Sequence, residues 1–152
     1  QIQPKYELED EYLKVLNDIQ KCNSVAVHVR RSDFKKDNCE FHYLLDESYY
    51  KRAIEKIRSS VKNPTFFWFS DDMNWVKEHI GASGDFRFVS IRTAHGDIDD
   101  MMLMKKCKHI ITANSTFSWW AAWLNEHEDA IRIVPEKPYG MEGMIPTGWR
   151  KV

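Results

Sequence analysis

Two adjacent arginines, Arg30 and Arg31, end an apolar run of the sequence and are followed closely by Asp33. Guanidinium groups form paired, charge-assisted hydrogen bonds with phosphate oxygens. The net charge of the chain is −1, so no global positive field attracts nucleic acid or anionic lipid. The two arginines therefore predict a local anion site, and pairing with surface carboxylates is the alternative.

Three further polar clusters follow apolar segments of the chain. The free N–H groups of a helix that begins at Ser115 would bind an anion and, with the two arginines, suit a diphosphate. A carboxylate of Asp71 or Asp72 could accept hydrogen bonds from the N1–H and N2–H₂ edge of a guanine. The clusters are Ser70 with Asp71 and Asp72, the loop 92–97 with His95, and Asn114 with Ser115 and Thr116.

Each cluster also has a purely structural interpretation. Asp71 would then be a helix N-cap, and Asn114 or Ser115 would cap the helix that follows it. His95 would be an ordinary surface histidine. Two more groups are expected to be structural: surface acids that complement a helix dipole (Asp97, Asp99 and Asp100) and core tryptophans rather than a sugar platform (Trp119, Trp120 and Trp123).

Several classes of site are disfavoured by the sequence. The phosphate-binding loops G-x-G-x-x-G and G-x-x-x-x-G-K-[ST] are absent, which argues against a P-loop nucleotidase or a dinucleotide-dependent dehydrogenase. We expect no metal at Asp71 and Asp72, because adjacent acids at a helix start point in different directions. The cysteines Cys22, Cys39 and Cys107 form no C-x-x-C pair and are expected to be free, in a reducing compartment.

A chain of 152 residues is expected to form one domain. The alternation of short apolar strands with amphipathic helices predicts an α/β fold, a three-layer Rossmann-like parallel sheet with helices on both faces. Ligands of such sheets bind at the carboxyl ends of the strands. The pattern predicts helices near 7–21, 46–61, 70–81, 97–108 and 115–126, the last buried all round, with strands near 24–29, 65–69, 86–89, 109–113 and 131–134 and a loop over 31–45.

The segments 28–34, 67–72 and 97–125 together resemble the α-1,2-fucosyltransferases of glycosyltransferase family eleven, and the end of the chain, 144–152, is similar too. The resemblance covers about residues 24–150, with Ser32 where the family usually has glycine. It implies one half of a two-domain GT-B-type enzyme. Residues 24–152 would form a GDP-fucose-binding Rossmann-like domain, and 1–23 a helix leading in from a missing N-terminal domain.

The resemblance implies inverting transfer of L-fucose from GDP-β-L-fucose to a galactoside 2-hydroxyl, with no metal or resident cofactor. Arg30 and Arg31 would hold the diphosphate, and Arg30 would stabilise the charge on the departing β-phosphate. Asp33 is the first candidate for general base, with Asp37 and Glu40 as rivals; alternatively, Asp33 clamps the arginines. The remaining binding residues would be His28 and one of Asp71 or Asp72 near guanine and ribose, and Ser115 and Thr116 at the phosphates. Asn114 is also expected among the residues that bind the donor.

The expected partners are GDP-fucose, a glycan acceptor with terminal galactose and the N-terminal domain of the same enzyme, and we expect no nucleic acid. The chain by itself is expected to be inactive. The alternatives are a nucleotide-binding module without catalysis, a fucosyltransferase of another linkage, and a hydrolase that uses Asp33 and Asp72. The expected location is the bacterial cytoplasm, with association at the membrane periphery as a further expectation and a lumenal origin as the alternative.

Overall fold

The computed structural model describes residues 2–31, 44–138 and 140–152. Its sheet has six strands in the order β3-β2-β1-β4-β5-β6, and every neighbouring pair is parallel. The elements are α1 (Asp10–Gln20), β1 (Asn23–Val29), α2 (Glu47–Arg58), β2 (Pro64–Ser70), α3 (Met73–His79), β3 (Phe86–Phe88), α4 (Gly96–Lys106), β4 (His109–Ile111), α5 (Thr116–Trp123), β5 (Arg132–Val134), a 3₁₀ turn (Glu142–Met144) and β6 (Arg150–Lys151).

Helices cover both faces of this sheet. β1 is buried on both sides, and its alternate residues belong to two separate apolar clusters. Ala26 packs in a cluster with residues of α1, α4 and α5. Val25 and Val27 pack in the other cluster, with residues of α2 and α3. The predicted three-layer α/β architecture is therefore confirmed.

The helix boundaries follow from local capping. The Asp46 carboxylate accepts a hydrogen bond from Tyr49 N at 3.1 Å and so caps the start of α2. Asp72, rather than Asp71, caps α3 by accepting from Trp75 N at 3.1 Å. The chain leaves α3 through Gly81, whose φ of +83° lies in the left-handed region that favours glycine.

The helix predicted over 115–126 is shorter and less buried than expected. Trp119 is buried, and its indole Nε1 donates to the carbonyl of Met144 at 3.1 Å. Trp120 and Trp123 are 48% and 53% exposed, so their predicted place in the core was wrong. The helix packs one face against the sheet, and an apolar sequence on all sides does not reveal which tryptophans lie on the other face.

The acids at the start of α4 also differ from the prediction. Asp97 is exposed, but Asp99 is 1% exposed and accepts a hydrogen bond from the hydroxyl of Tyr6. The prediction of a surface role was therefore wrong for Asp99. Burial, with the nearby charges of Asp97 and Asp99, raises the pKa of Asp100 to about 7. The segment before α1 is thus fastened to α4 through the side chain of Tyr6.

The sequence did not predict β6. Its two residues, Arg150 and Lys151, are polar and exposed and carry no strand pattern. They join the sheet by backbone pairing, and beyond them Val152 N donates to the carbonyl of Val134 at 3.1 Å. Within the described ranges, no helix has the length and apolar character needed to cross a membrane.

Candidate functional site

The strand order brings three of the predicted clusters to one edge of the sheet. β1 lies between β2 and β4, so the residues that follow these three strands are neighbours at the carboxyl edge. The chain runs outward from β1 to β2 and β3, then crosses to β4 on the other side. This reversal between β1 and β4 is the switch point at which parallel α/β sheets bind ligands.

Asp71 holds the two arginines at this edge. Its Oδ2 lies 3.3 Å from Arg30 Nε, and its Oδ1 accepts a hydrogen bond from the backbone N–H of Arg31 at 2.8 Å. Arg30 and Asp71 are both partly exposed, with side-chain exposures of 29% and 17%. The carboxylate therefore fixes the direction of the chain as it leaves β1 while the guanidinium of Arg30 remains in contact with solvent.

The side chain of Arg31 is held by different groups. Its guanidinium carbon lies 3.9 Å from the ring centroid of Trp75, a cation–π contact. Its Nη1 donates to the carbonyl of Leu45 at 3.2 Å. Its Nε is buried and has no hydrogen-bond partner among the described residues. Sequence reasoning missed Trp75 and Leu45, since neither has a polar side chain that marks it as part of a site.

The turn from β4 into α5 forms the other side of the switch point. Ser115 caps α5 by accepting from Phe117 N at 3.3 Å. The buried hydroxyl of Ser118 accepts from Ala113 N at 3.1 Å and donates to the carbonyl of Ser115 at 3.3 Å. Asn114 is half-buried and Thr116 is exposed at the first helical position. The start of α5 is therefore rigid, and it presents the partial positive charge of a helix N-terminus.

His28 lies on β1, two residues before Arg30, on the face covered by α5. It is 3% exposed, and its ring centroid lies 5.3 Å from that of Phe117. Burial, partly offset by the charge of Asp71, lowers the pKa of His28 to about 4. Its Nδ1 is buried without a hydrogen-bond partner in the described part of the chain. A neutral, buried ring nitrogen of this kind is available to a ligand.

Other predicted residues lie elsewhere. Asp33, with its rivals Asp37 and Glu40, falls outside the described residues, as do Ser32 and Cys39. His95 begins α4 and stacks on Tyr6 with ring centroids 3.6 Å apart. In the part of the chain that the structure describes, no three His, Cys, Asp or Glu side chains are grouped to hold a metal ion. Cys22 and Cys107 are free thiols.

Two surface cavities differ in their relation to this edge. One of about 390 Å³ lies between α1 and β3, is lined by Glu11, Arg87 and Val89 among others, and contacts none of the predicted site residues. The other, of about 330 Å³, lies between the start of α2 and the ends of β4 and β5, and Asn114 is part of its wall. The second cavity therefore adjoins the predicted anion site.

Comparison with protein families identifies the chain. The family model described as glycosyl transferase family 11 matches residues 8–144. The chain belongs to glycosyltransferase family 11. The family assignment made from the three sequence motifs is thus confirmed, and so is membership of a class of glycosyltransferases.

Named relatives agree with this family. An Escherichia coli alpha-1,2-colitosyltransferase is 39% identical over 91% of this chain and 51% of its own length. The Escherichia coli O-antigen biosynthesis glycosyltransferase WbnK is 33% identical over 90% of this chain and 48% of its own length. A rat galactoside alpha-(1,2)-fucosyltransferase 2 is 33% identical over 82% of this chain and 37% of its length. The chain therefore spans about half the length of the bacterial relatives.

A solved structure shares the fold. It is that of NodZ alpha-1,6-fucosyltransferase soaked with GDP-fucose, with a TM-score of 0.52 over 78% of this chain and 43% of that chain, at 19% identity. The likeness shows that the parallel sheet with its helices is an architecture found within that fucosyltransferase. It supports the predicted fold class, and at this identity it carries no information on individual residues.

Proposed function

We propose that this chain is the donor-binding half of an inverting α-1,2-glycosyltransferase that uses GDP-β-L-fucose and transfers the sugar to a galactoside 2-hydroxyl. The observation that carries the proposal is the position of Arg30 and Arg31. They follow the central strand at the switch point, beside a capped helix start. Two guanidinium groups and a helix N-terminus match the charge and the oxygen geometry of a diphosphate.

In this proposal Arg30 and the start of α5 stabilise the charge that develops on the β-phosphate oxygen as GDP departs. Arg30 is the better placed of the two arginines to act on the leaving group, because its guanidinium is partly exposed, whereas that of Arg31 packs on Trp75. Arg31 then contributes charge from a fixed position. His28 supplies a neutral ring nitrogen beneath the site.

The two acids after β2 each make a structural bond in addition to their proposed role in binding. Asp71 contacts both arginines, and Asp72 caps α3. A carboxylate has four lone-pair sites, so either group can accept from a guanine edge in addition to its structural bond. The general base remains proposed as Asp33, and the acceptor is proposed to be a glycan with terminal galactose.

The proposal makes the donor site testable without an acceptor. Calorimetric titration of the chain with GDP, and with ADP as control, is expected to show selective binding of GDP that a chelator leaves unchanged. Replacement of Arg30 by Ala is expected to lower fucosyl transfer by about 10²–10³-fold in the polypeptide that carries both halves. Transfer at the wild-type rate by this variant, or equal binding of ADP and GDP, would contradict the proposal.

A second candidate is a nucleotide-binding module without catalysis. The observation that favours it is that the groups gathered at the switch point, Arg30, Arg31 and the start of α5, are groups that bind an anion. Assay of the longest polypeptide that contains this sequence separates the two, with GDP-fucose and GDP-colitose as donors and a galactoside as acceptor. Transfer of either sugar supports the enzyme, and GDP binding without transfer supports the module.

A further inference from the structure

The cavity between α2 and the ends of β4 and β5 adjoins the proposed diphosphate site on two sides. Asn114, which directly precedes the helix cap Ser115, lines it. Leu45 also lines it, and the carbonyl of Leu45 accepts the hydrogen bond from Arg31 Nη1. A group bonded to a phosphate at the switch point would therefore lie against the wall of this cavity.

The strand order gives the direction in which a ligand would extend. From β2 the sheet runs through β1 and β4 to β5. Pro135 and Glu136, which follow β5, form the far wall. A nucleotide sugar whose diphosphate lies between β1 and β4 and whose base lies toward β2 would place its glycosyl ring here, because a single oxygen joins that ring to the β-phosphate.

The wall carries groups that suit a sugar. Arg52 and Lys137 offer N–H donors, and Asp46 and Glu136 offer carboxylate acceptors, so hydroxyl groups that donate and accept can be satisfied together. In the described part of the chain, the side chains of Glu136 and Lys137 have no hydrogen bond or ion pair. The volume, about 330 Å³, lies at the lower end of ligand pockets, which span about 300–1,000 Å³.

Arg52 is held in place at this wall. Its Nη1 donates to Ser48 Oγ at 3.0 Å, and Ser48 Oγ donates to Asp46 Oδ1 at 2.6 Å. The hydrogen bonds from Ser48 and from Tyr49 N keep the pKa of Asp46 below its usual range, so this carboxylate is ionised at neutral pH. Apolar side chains, among them Leu45 and Val152, form the remaining surface and suit the C–H face and the methyl group of a 6-deoxyhexose.

We propose that this cavity is the subsite for the glycosyl ring of the donor, with Arg52 and Glu136 as the residues that bind its hydroxyl groups. The inference rests on the proposed function, since it takes the diphosphate to lie at the switch point. It assigns a sugar-recognition role to α2, a helix that the sequence motifs of the family resemblance do not include.

The test compares two ligands that differ only in the sugar. Titrations of the 152-residue chain with GDP and with GDP-L-fucose are carried out for the wild type, Arg52→Ala, Glu136→Gln and the control Lys56→Ala. Lys56 is exposed on the same helix and does not line the cavity. Both cavity variants are expected to raise the Kd for GDP-fucose about ten-fold, as the loss of one charged hydrogen bond predicts. Their Kd for GDP, and both constants of Lys56→Ala, should stay within about two-fold.

The other possible results of these titrations contradict either the sugar subsite alone or the proposed function as well. Equal weakening of GDP and GDP-fucose by the cavity variants would mean that the cavity binds the nucleotide, and unchanged affinity for both would mean that it binds neither part. Each of these results overturns the subsite and leaves the proposed function standing. A wild-type chain that does not bind GDP overturns the proposed function and, with it, the inference.

Discussion

His28 makes the stability of this protein dependent on pH in a direction that can be calculated. Its pKa is about 4 in the folded protein, below the ordinary 6.5, because burial disfavours the charged ring. The unfolded chain therefore takes up the proton first as the pH falls, and the stability that is complete above about pH 6.5 is lost toward about pH 4. The full difference is about 3 kcal/mol, of which about 2 kcal/mol is lost by about pH 5.

The assay is urea unfolding of the wild type and of His28→Gln at about pH 7.5 and about pH 5. The wild type is expected to lose about 2 kcal/mol more than the variant, since glutamine does not titrate. Asp100 acts in the opposite direction, because its raised pKa of about 7 makes folding more favourable on acidification, but it is common to both proteins and cancels. A wild-type minus variant difference that is the same at both pH values, or an imidazole that titrates near 6.5 by NMR, would refute the burial argument.

Three further predictions concern Ser115, Arg31 and Tyr49. Ser115→Ala should lower the unfolding free energy measured in urea by about 1 kcal/mol, because α5 loses its cap. Ser115→Asp should keep the cap but weaken GDP binding, because it places a negative charge beside the phosphates. Equal GDP affinity of the two variants would contradict a phosphate at this helix. Arg31→Lys loses the contact with Trp75 and the bond to Leu45. Calorimetry should therefore show GDP affinity lower by about ten-fold, and thermal stability should fall as well, because both lost contacts are made in the folded protein. Tyr49→Phe leaves the buried carbonyl of Thr112 without its 2.7 Å bond and should lower the unfolding free energy by about 1–3 kcal/mol, an effect that a solvent-exposed hydroxyl would not produce.

The layered architecture could be predicted because alternating apolar segments leave few arrangements. A strand that is buried on both faces has an almost continuously apolar sequence, and the sequences of β1 and β2 are clearly of this kind. The order of the strands could not be predicted in this way, because it depends on the side to which each crossover connection turns. The central position of β1, which brings the ends of β1 and β4 side by side, is therefore a result of the structure, whereas the expectation of a ligand at the carboxyl edge came from a general rule for parallel sheets.

Side-chain partners were harder to predict than elements. The structural interpretation of the sequence made Asp71 the cap of α3, and only the structure shows that Asp72 caps the helix while Asp71 pairs with Arg30. Asp99 looked like a surface acid because its partner, Tyr6, lies far away in the sequence. Errors of this kind arise wherever a polar group is buried by a segment that local patterns do not connect to it.

The two edge strands have a consequence for the behaviour of this protein in solution. An exposed edge strand has unpaired backbone N–H and C=O groups with which a strand of another chain can pair. The risk of aggregation grows with the length and the apolar character of the edge strand. β3 has three residues and turns Arg87 to solvent, and β6 has two residues, both cationic. Both edge strands are thus too short and too positively charged to template edge-to-edge aggregation, although the central strands are among the most apolar segments of the sequence.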